Sequence, residues 1–265
     1  HKEYRRQRQM CIRDRNRIIG VLKFISPKYS KDFENDYLYF NSLKTFQKIE
    51  HEDIGDELEG VISDKWRDRN SSEDSIEMYF QRLDDPCAQI NKVNLKEVIF
   101  KNTPNINKDF KICCFSIIRE SDLVKMDDGI YRLSQKFINE INRILDNRNI
   151  YVTIDFEHFK NRLLKYFSEN DIFFKGDIVE YFNEKHPLFY KIENKEELTF
   201  EDIVKVSFCK SNKYANQKEY RILAYKMKGN KIKINGLYNE FFQLKGLEQL
   251  LSLIHISEPT RRTPI

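Results

Sequence analysis

The chain has little of the residues that mark several large classes of protein. Among its 265 residues there are only 8 Gly and 6 Pro, which excludes collagen-like repeats and leaves no Gly- or Pro-rich linker. No apolar run in the sequence approaches the ~18 residues that a membrane-spanning helix needs. The 5 Cys include no C-x-x-C pair, so the sequence indicates neither a structural zinc site nor a disulfide framework. We therefore expect no metal, no membrane contact and a reducing, cytoplasmic setting.

Aromatic residues are plentiful. The sequence has 20 Phe and 14 Tyr, and 40% of its residues are hydrophobic. That is enough apolar surface to offset the entropy lost when a chain of this length folds. We expect a globular protein with a large buried core.

The two ends of the chain resemble translated sequencing adapters. Residues 5–14 read RRQRQMCIRD, which is the translation of CGT CGG CAG CGT CAG ATG TGT ATA AGA GAC. Residues 251–261 read LSLIHISEPTR and resemble the translated reverse adapter. We interpret residues 1–15 and 251–265 as adapter artefacts and residues 16–250 as a single domain.

Setting these ends aside changes the charge of the chain. The full sequence has a pI near 8.6, whereas residues 16–250 hold 38 basic and 39 acidic side chains. The basic character comes from the ends, so nucleic acid is not favoured as a partner. A nucleic-acid interface would require the lysines between residues 205 and 233 to share one face.

Helices and strands alternate along the sequence. Ser26-Pro27 predicts a helix start, the spacing of Phe137, Ile141 and Ile144 predicts an amphipathic helix, and Asp155 is typical of an N-cap. A further helix is predicted at 71–83. Strands are predicted at 38–40, 111–117, 150–154, 177–182, 203–209, 219–227 and 231–234, with residues 228–230 turning the last two into a hairpin. Because the strands cluster late, we expect an α+β fold with a mixed, largely antiparallel sheet and flanking helices.

The first candidate site is the acidic run at residues 50–60, which contains His51, Asp56 and Glu59. Its oxygen ligands suit a divalent cation, and a carboxylate here could act as a general base. The spacing matches neither an EF-hand nor H-E-x-x-H. A solvated acidic loop explains the same run, since runs of charge usually lie at the surface.

The second candidate site is the predicted strand that begins at Glu219. Glu219 and Arg221 share one face of it, Gln217 extends the same row, and Tyr214 precedes them. Such a Glu and Arg can jointly receive a polar ligand. They can equally form an ordinary ion pair near a sheet edge, worth ~0 to 1 kcal/mol if exposed.

The third candidate site is Cys113-Cys114-Phe115-Ser116 on a predicted central strand. A Cys or Ser nucleophile needs a base, and neither His158 nor His186 lies in a recognisable motif. Burial of the cysteines as small hydrophobic residues is the favoured interpretation. Ser116 is retained as a ligand-binding candidate.

Four short motifs occur in order along the sequence. They are Leu38-Tyr39-Phe40-Asn41-Ser42 with Phe46, Gly55-Asp56-x-x-Glu59-Gly60, Cys114-Phe115-Ser116, and Tyr214-x-x-Gln217-x-Glu219-Tyr220-Arg221-Ile222. Together they resemble an uncharacterised family of bacterial and phage proteins, which commonly has an Asn-Asp-Pro turn where this chain has Ile54-Gly55-Asp56. The resemblance implies a bacterial or phage origin, near mobile elements, and no established reaction.

The leading functional hypothesis is a nucleotide-processing enzyme linked to conflict between phage and host. Arg221 would accept a small nucleotide-like substrate and Glu219 would polarise it, with Asp56 and Glu59 as further catalytic candidates. No cofactor is indicated. If the pair is functional, Glu219→Gln should keep near-normal thermal stability and lose activity.

Two alternatives remain. One is a non-enzymatic protein-interaction module, which an exposed apolar patch without a convergent polar pocket would favour. The other is an enzyme similar to ADP-ribosyltransferases, because Asn216-x-x-Glu219-Tyr220 resembles the glutamate strand of that family. A His or Arg from an early strand opposite Glu219 would favour the second alternative.

Overall fold

The computed structural model describes residues 17–47, 58–67, 76–80, 91–95, 97–104, 110–127 and 131–244. Both predicted adapter segments, Asp56 and most of the acidic run lie outside these ranges. The cysteines within them, Cys113, Cys114 and Cys209, are free thiols.

Short strands and helices follow one another along the described chain. The strands are β1 (Ile18–Ile25), β2 (Tyr37–Tyr39), β3 (Asn41–Ser42), β4 (Ile62–Arg67), β5 (Ile76–Phe80), β6 (Asn91–Leu95), β7 (Glu97–Asn102), β8 (Phe110–Arg119), β9 (Leu123–Lys125), β10 (Tyr131–Leu133), β11 (Asn149–Thr153), β12 (Phe174–Ile178), β13 (Glu180–Phe182), β14 (Cys209–Ser211), β15 (Glu219–Tyr225), β16 (Lys231–Lys233) and β17 (Phe242–Leu244). The helices are α1 (Pro27–Glu34), α2 (Leu43–Gln47), α3 (Gln135–Leu145), α4 (Phe156–Glu169), α5 (Phe189–Glu193) and α6 (Phe200–Val206).

A seven-stranded sheet forms the centre of the fold. Its order is β12-β15-β8-β1-β11-β17, and β3 pairs with β8 as an additional strand. All of these pairings are antiparallel. Smaller two-stranded ladders join β2 to β16, β4 to β7, β5 to β6 and β9 to β10, while β13 and β14 pair in parallel.

The two sides of β8 are paired differently. β15 pairs along one side, from Glu219 opposite Ser116 to Tyr225 opposite Phe110. On the other side β1 pairs only with residues 116–119, and β3 only with residues 111–112. Beyond Leu22, β1 stays paired with β11 as far as Ile25. Residues 113–115 therefore face an opening between β1 and β3 where, among the described residues, no strand completes the ladder.

Helices cover both faces of the sheet. On one face, α4 packs Phe159, Leu163 and Phe167 into a core that includes Tyr220 and Ile222 of β15. On the other face α3 covers the β1 and β11 side, and Leu43 from α2 and Val204 from α6 cover the β8 and β15 side. Nowhere in the described ranges does a helix have the length and apolar character that crossing a membrane requires.

The predicted fold class is confirmed, since helices flank a largely antiparallel sheet. The helices at α1, α3 and α4 and the strands at β8, β11 and β15 are confirmed as well. Three local predictions are wrong. Residues 203–206 of the predicted strand 203–209 belong to helix α6, and residues 76–80 of the predicted helix 71–83 form strand β5. β16 pairs with β2 rather than with β15.

Candidate functional site

Arg221 lies at the centre of a buried cluster of charges. Its Nε donates to Oε1 of Glu219 at 2.7 Å, and its Nη1 donates to Oε1 of Glu59 at 2.6 Å. The same Nη1 also donates to the carbonyl oxygen of Ser207. The side chains of Arg221 and Glu59 are 0% exposed and that of Glu219 is 4% exposed. The guanidinium therefore donates its hydrogen bonds to acceptors within the protein rather than to a ligand.

Lys210 is the second cation of the cluster. Its Nζ donates to Oε1 of Gln217 at 2.8 Å and lies 3.4 Å from Glu59 Oε2 and 3.5 Å from Glu219 Oε2. It also lies 5.0 Å from the centre of the Tyr214 ring. Two carboxylates thus alternate with two cations, which keeps the buried cluster electrically neutral and lowers the cost of burying each charge.

Local backbone geometry brings these side chains together. The 3-10 helix over 212–217 connects β14, which carries Lys210, with β15. Lys218 ends that segment in the left-handed region, at φ 45°, and so turns the chain into β15. The backbone N–H of Glu219 then donates to the Tyr181 hydroxyl at 2.9 Å. Glu59 lies in the turn before β4, far in sequence from the other residues of the cluster.

Glu219, Lys210 and Arg221 keep their charges over a wide pH range. Burial alone would raise the pKa of Glu219, but the positive charges of Arg221 and Lys210 outweigh it and lower that pKa to about 2. Burial would lower the pKa of Lys210, yet Glu219 and Glu59 raise it above its ordinary value. Burial would likewise lower the pKa of Arg221, and the same carboxylates raise it. A carboxylate this acidic is a weak general base at neutral pH.

A cavity of about 410 Å³ lies beside the cluster, at the opening between β1 and β8. Its size is within the range of pockets that bind small molecules. Glu219, Lys210 and Gln217 form part of its wall together with Cys113, Cys114 and Ser116 of β8. Aromatic side chains form another part, namely Phe24, Tyr29, Phe33, Tyr37, Tyr39 and Phe115.

Two further cations line the same cavity. The Nζ of Lys23 donates to the Cys114 carbonyl oxygen at 2.8 Å and to the Cys113 sulfur at 3.2 Å, and lies 4.7 Å from the centre of the Phe115 ring. It thereby satisfies a carbonyl of the unpaired stretch of β8. Arg148 donates its Nε to the carbonyl oxygen of Leu145 at 3.1 Å, at the end of α3. Among the described residues that line the cavity, Glu219 is the one carboxylate, and it lies beside Lys210.

The sequence-based candidates largely converge. Glu59 and Glu219 each bond to Arg221, and Gln217 and Ser116 line the cavity. Ser116 is the cross-strand partner of Glu219. Tyr214 is buried against Lys210 and is not part of the cavity lining. Asp56 lies outside the described residues.

The structure changes the role of Arg221. The sequence predicts that Arg221 either accepts a substrate or pairs with Glu219. The pair with Glu219 is present, but it is buried. A guanidinium that is 0% exposed and bonded to two carboxylates and a carbonyl does not fit the role of substrate acceptor. Arg221 is therefore a residue that positions Glu219 and Glu59, and Glu219 reaches the cavity in its place.

Sequence reasoning did not identify Lys23 or Arg148, and considered Lys210 only as one of several late lysines. Lys23 had a usable signal, because it is the one charged residue in the apolar strand Ile18–Ile25. A lysine in such a strand needs a polar partner or a ligand. Lys210 and Arg148 carried no comparable signal.

The thiols next to the cavity are unsuited to nucleophilic catalysis. Burial raises the pKa of Cys113, and burial together with the charge of Glu219 raises the pKa of Cys114 well above its ordinary value. Since the thiolate is the nucleophile, both groups are held in their unreactive form. Within the described part of the chain, no three His, Cys, Asp or Glu side chains group together as metal ligands would.

Comparison with family models, with curated proteins and with solved structures finds no match for this chain. The resemblance to bacterial and phage proteins accordingly stays a prediction from its short motifs. The functional argument rests on the geometry of the cavity and the charge cluster.

Proposed function

We propose that the chain binds a nucleotide-like anion in the cavity between β1 and β8 and takes part in nucleotide processing. One observation carries the proposal. A cavity of about 410 Å³ combines two cations from outside the neutral charge cluster, Lys23 and Arg148, with a wall of tyrosine and phenylalanine rings. A phosphate attached to a planar base matches this combination of charge and aromatic surface.

Each part of the cavity has a role in this proposal. Lys23 offers its ammonium group to a phosphate, and Arg148 extends the positive surface at the end of α3. Tyr29 and Tyr39, whose ring centres are 5.0 Å apart, supply flat surface for a base. Glu219 and Gln217 supply acceptors and donors for the sugar or the base edge.

Processing would depend on charge rather than on proton transfer by the cluster. Glu219 is too acidic to remove a proton efficiently at neutral pH, and Lys210 stays protonated. Fixed cations in a partly enclosed site can stabilise negative charge that develops on a reacting phosphate. Arg221 and Glu59 contribute by holding Glu219 and Lys210 in place.

The ADP-ribosyltransferase alternative predicts a His or Arg from an early strand opposite Glu219. The residue opposite Glu219 on β8 is Ser116, and β1 carries neither His nor Arg. The interaction-module alternative depends on an exposed apolar patch without a polar pocket. Phe173 and Phe200 are exposed and in contact, but the chain does contain a pocket lined with polar groups, so that alternative is less favoured.

Isothermal titration tests the proposal. The common ribonucleoside monophosphates, their unphosphorylated nucleosides and inorganic phosphate would be titrated into the protein and into Lys23→Gln. At least one monophosphate should bind, about tenfold or more tightly than its nucleoside, and Lys23→Gln should lose about tenfold, as expected for a charged hydrogen bond. Lys136→Gln is the matched control, since that side chain is 85% exposed on α3.

The opposite results are equally clear. If no monophosphate binds, or if Lys23→Gln binds as tightly as the parent while its melting temperature is unchanged, the cavity is not a nucleotide site. Melting curves without ligand separate loss of binding from loss of fold, because Lys23 also bonds to β8.

A further inference from the structure

The outer face of the ladder between β2 and β16 carries tyrosines beside lysines. Tyr37 pairs with Lys233 and Tyr39 with Lys231, while Leu38 and Ile232 between them are buried. Because side chains alternate along a strand, the two tyrosines and the two lysines share the solvent side. We call this surface, with Lys28 and Tyr29 of α1, the tyrosine–lysine face.

The ammonium groups of this face lie over its rings. Lys231 Nζ is 4.6 Å from the centre of the Tyr37 ring and 5.7 Å from that of Tyr39, and Lys233 Nζ is 5.7 Å from Tyr37. Lys28 Nζ is 4.7 Å from the centre of the Tyr29 ring. Positive charge and flat aromatic surface therefore alternate over a short distance.

The face continues into the cavity. Tyr29, Tyr37 and Tyr39 belong to the face and also line the cavity, and so does Asn230, the residue before β16. Among the described residues, the acid in contact with Tyr39 and Lys231 of this face is Asp32, which accepts from the Tyr39 hydroxyl at 2.5 Å and lies 3.4 Å from Lys231. With Lys28, Lys231 and Lys233 against Asp32, the face keeps an excess of positive charge.

We infer that the tyrosine–lysine face binds single-stranded nucleic acid whose terminal nucleotide enters the cavity. The inference rests on the proposed function and names its ligand as the end of a strand rather than a free nucleotide. Proteins that bind single strands combine a positive track for the backbone with aromatic rings on which successive bases stack. Tyr37 and Tyr39 lie about 6.5 to 7 Å apart along β2, which gives separate positions for separate bases.

The late lysines as a set do not form this surface. Lys210 is buried in the charge cluster, and Lys218 is paired with Asp122 at 2.5 Å and with Glu140 at 3.2 Å. The condition set from the sequence for nucleic-acid binding, that the lysines between residues 205 and 233 share one face, is therefore not met, and the basic face in the structure is a smaller one. It is centred on Lys231 and Lys233 and gains Lys28 from α1.

Fluorescence anisotropy with a labelled, 5′-phosphorylated oligothymidylate of about ten nucleotides tests the inference, since single-strand sites of this kind span about 4 to 16 nucleotides. Thymidine monophosphate would be titrated in parallel. The variants are Tyr37→Leu, which keeps an apolar side chain without the ring, and the double change Lys231→Gln with Lys233→Gln. Lys136→Gln is the control, on the exposed side of α3.

The oligonucleotide should bind about tenfold or more tightly than the monophosphate. The double lysine variant should lose about tenfold in oligonucleotide affinity while its affinity for the monophosphate stays within about twofold. The slope of log K against log salt concentration should flatten by about 1.4, since each phosphate contact on a single strand contributes about 0.7. Tyr37→Leu should weaken binding of the oligonucleotide and leave the slope of log K against log salt concentration unchanged.

The two proposals can fail separately. If thymidine monophosphate or another monophosphate binds but the oligonucleotide binds no more tightly, or if the double lysine variant behaves like the parent, the inference is overturned and the nucleotide site stands. If no monophosphate binds at all, the proposed function is overturned and this inference with it.

Discussion

The Nε of Arg221 donates a hydrogen bond of 2.7 Å to Oε1 of Glu219, its neighbour two residues earlier in the same strand. Both side chains are buried, at 0% and 4% exposure. Removing one member of a buried pair costs stability, because the charge that remains cannot reach water to be solvated. Disruption of this pair should therefore affect the whole fold, whereas an exposed pair would contribute little.

The change Glu219→Gln should strongly destabilise the protein. It removes a carboxylate that bonds Arg221 and faces Lys210, and leaves Glu59 as their one remaining carboxylate within the described cluster. We expect a loss of about 3 to 5 kcal/mol in the free energy of unfolding, measured by urea denaturation. This replaces the sequence-based expectation of near-normal stability, which followed from treating Glu219 as a functional residue.

Glu157→Gln is the control for that experiment. Its side chain is 64% exposed and pairs with Lys160 on the surface of α4, so its removal should change stability by less than about 0.5 kcal/mol. If Glu219→Gln were as stable as Glu157→Gln, the buried cluster would not hold the fold together in the way described.

The stability of the protein should fall as the pH drops from 6.5 to 4 because of His186. Burial, with the charge of Lys205, lowers the pKa of His186 from 6.5 to about 4. Between pH 6.5 and pH 4 the His186 side chain is protonated in the unfolded chain but not in the folded chain, so a falling pH favours unfolding. Below about pH 4 the side chain is protonated in both states, and the loss of stability is complete. At about 1.4 kcal/mol per pH unit, the contribution is about 3 kcal/mol.

Urea denaturation of the parent and His186→Asn at several pH values measures this contribution. Asn can still accept the hydrogen bond that Nδ1 of His186 receives from the backbone N–H of Leu188 at 3.0 Å. The difference in stability between the two proteins should shift by about 3 kcal/mol between pH 6.5 and pH 4. A constant difference would show that His186 titrates normally in the fold.

Gly20→Ala should break the pairing of β1 with β11. A Cβ at Gly20 would collide with the backbone carbonyl oxygen of Thr153, which cannot move without opening the ladder. We expect a loss of several kcal/mol, about 3 or more, by thermal or urea unfolding. In Gly229→Ala the new Cβ meets nothing within 4 Å, and the strain of its φ of +68° should cost about 1 kcal/mol. Similar losses in both variants would argue against the close approach at Gly20.

The described cysteines should react slowly with thiol reagents in the folded protein. Burial raises the pKa of all three, and that of Cys209 rises to about 12. Alkylation with iodoacetamide at pH 7.5, mapped by mass spectrometry, should label Cys113, Cys114 and Cys209 far more slowly than in urea. Rapid labelling of Cys114 in the native protein would mean that its thiol is activated, and would reopen a nucleophilic role.

The parts of the fold that sequence predicted are those controlled by local pattern. Phe137, Ile141 and Ile144 recur at helical spacing and form the buried side of α3. Asp155 accepts from the backbone N–H of His158 and so caps α4 as expected. In β15, Glu219 and Arg221 share one face as predicted, because strand periodicity depends on backbone geometry alone.

The errors arose where local signals conflicted or where the partner was distant. Residues 203–209 are rich in apolar and β-branched residues, yet the capping box of Thr199 and Asp202 starts helix α6. In β5 the apolar spacing fits a helix turn as well as an alternating strand, and pairing with β6 decides it. No periodicity could reveal that Glu59 meets Arg221 across 162 residues, or that both would be buried.

Photo-crosslinking with an azido-substituted nucleoside monophosphate tests the central claim most directly, because it locates the ligand as well as detecting it. Labelled peptides would be mapped by mass spectrometry, with and without excess unmodified nucleotide. We predict competable labelling at the cavity rings Tyr29, Tyr37 or Tyr39, and its loss in Lys23→Gln. Labelling that is not displaced by nucleotide, or that falls on residues remote from the β1–β8 opening, would contradict the assignment of this cavity as a nucleotide site.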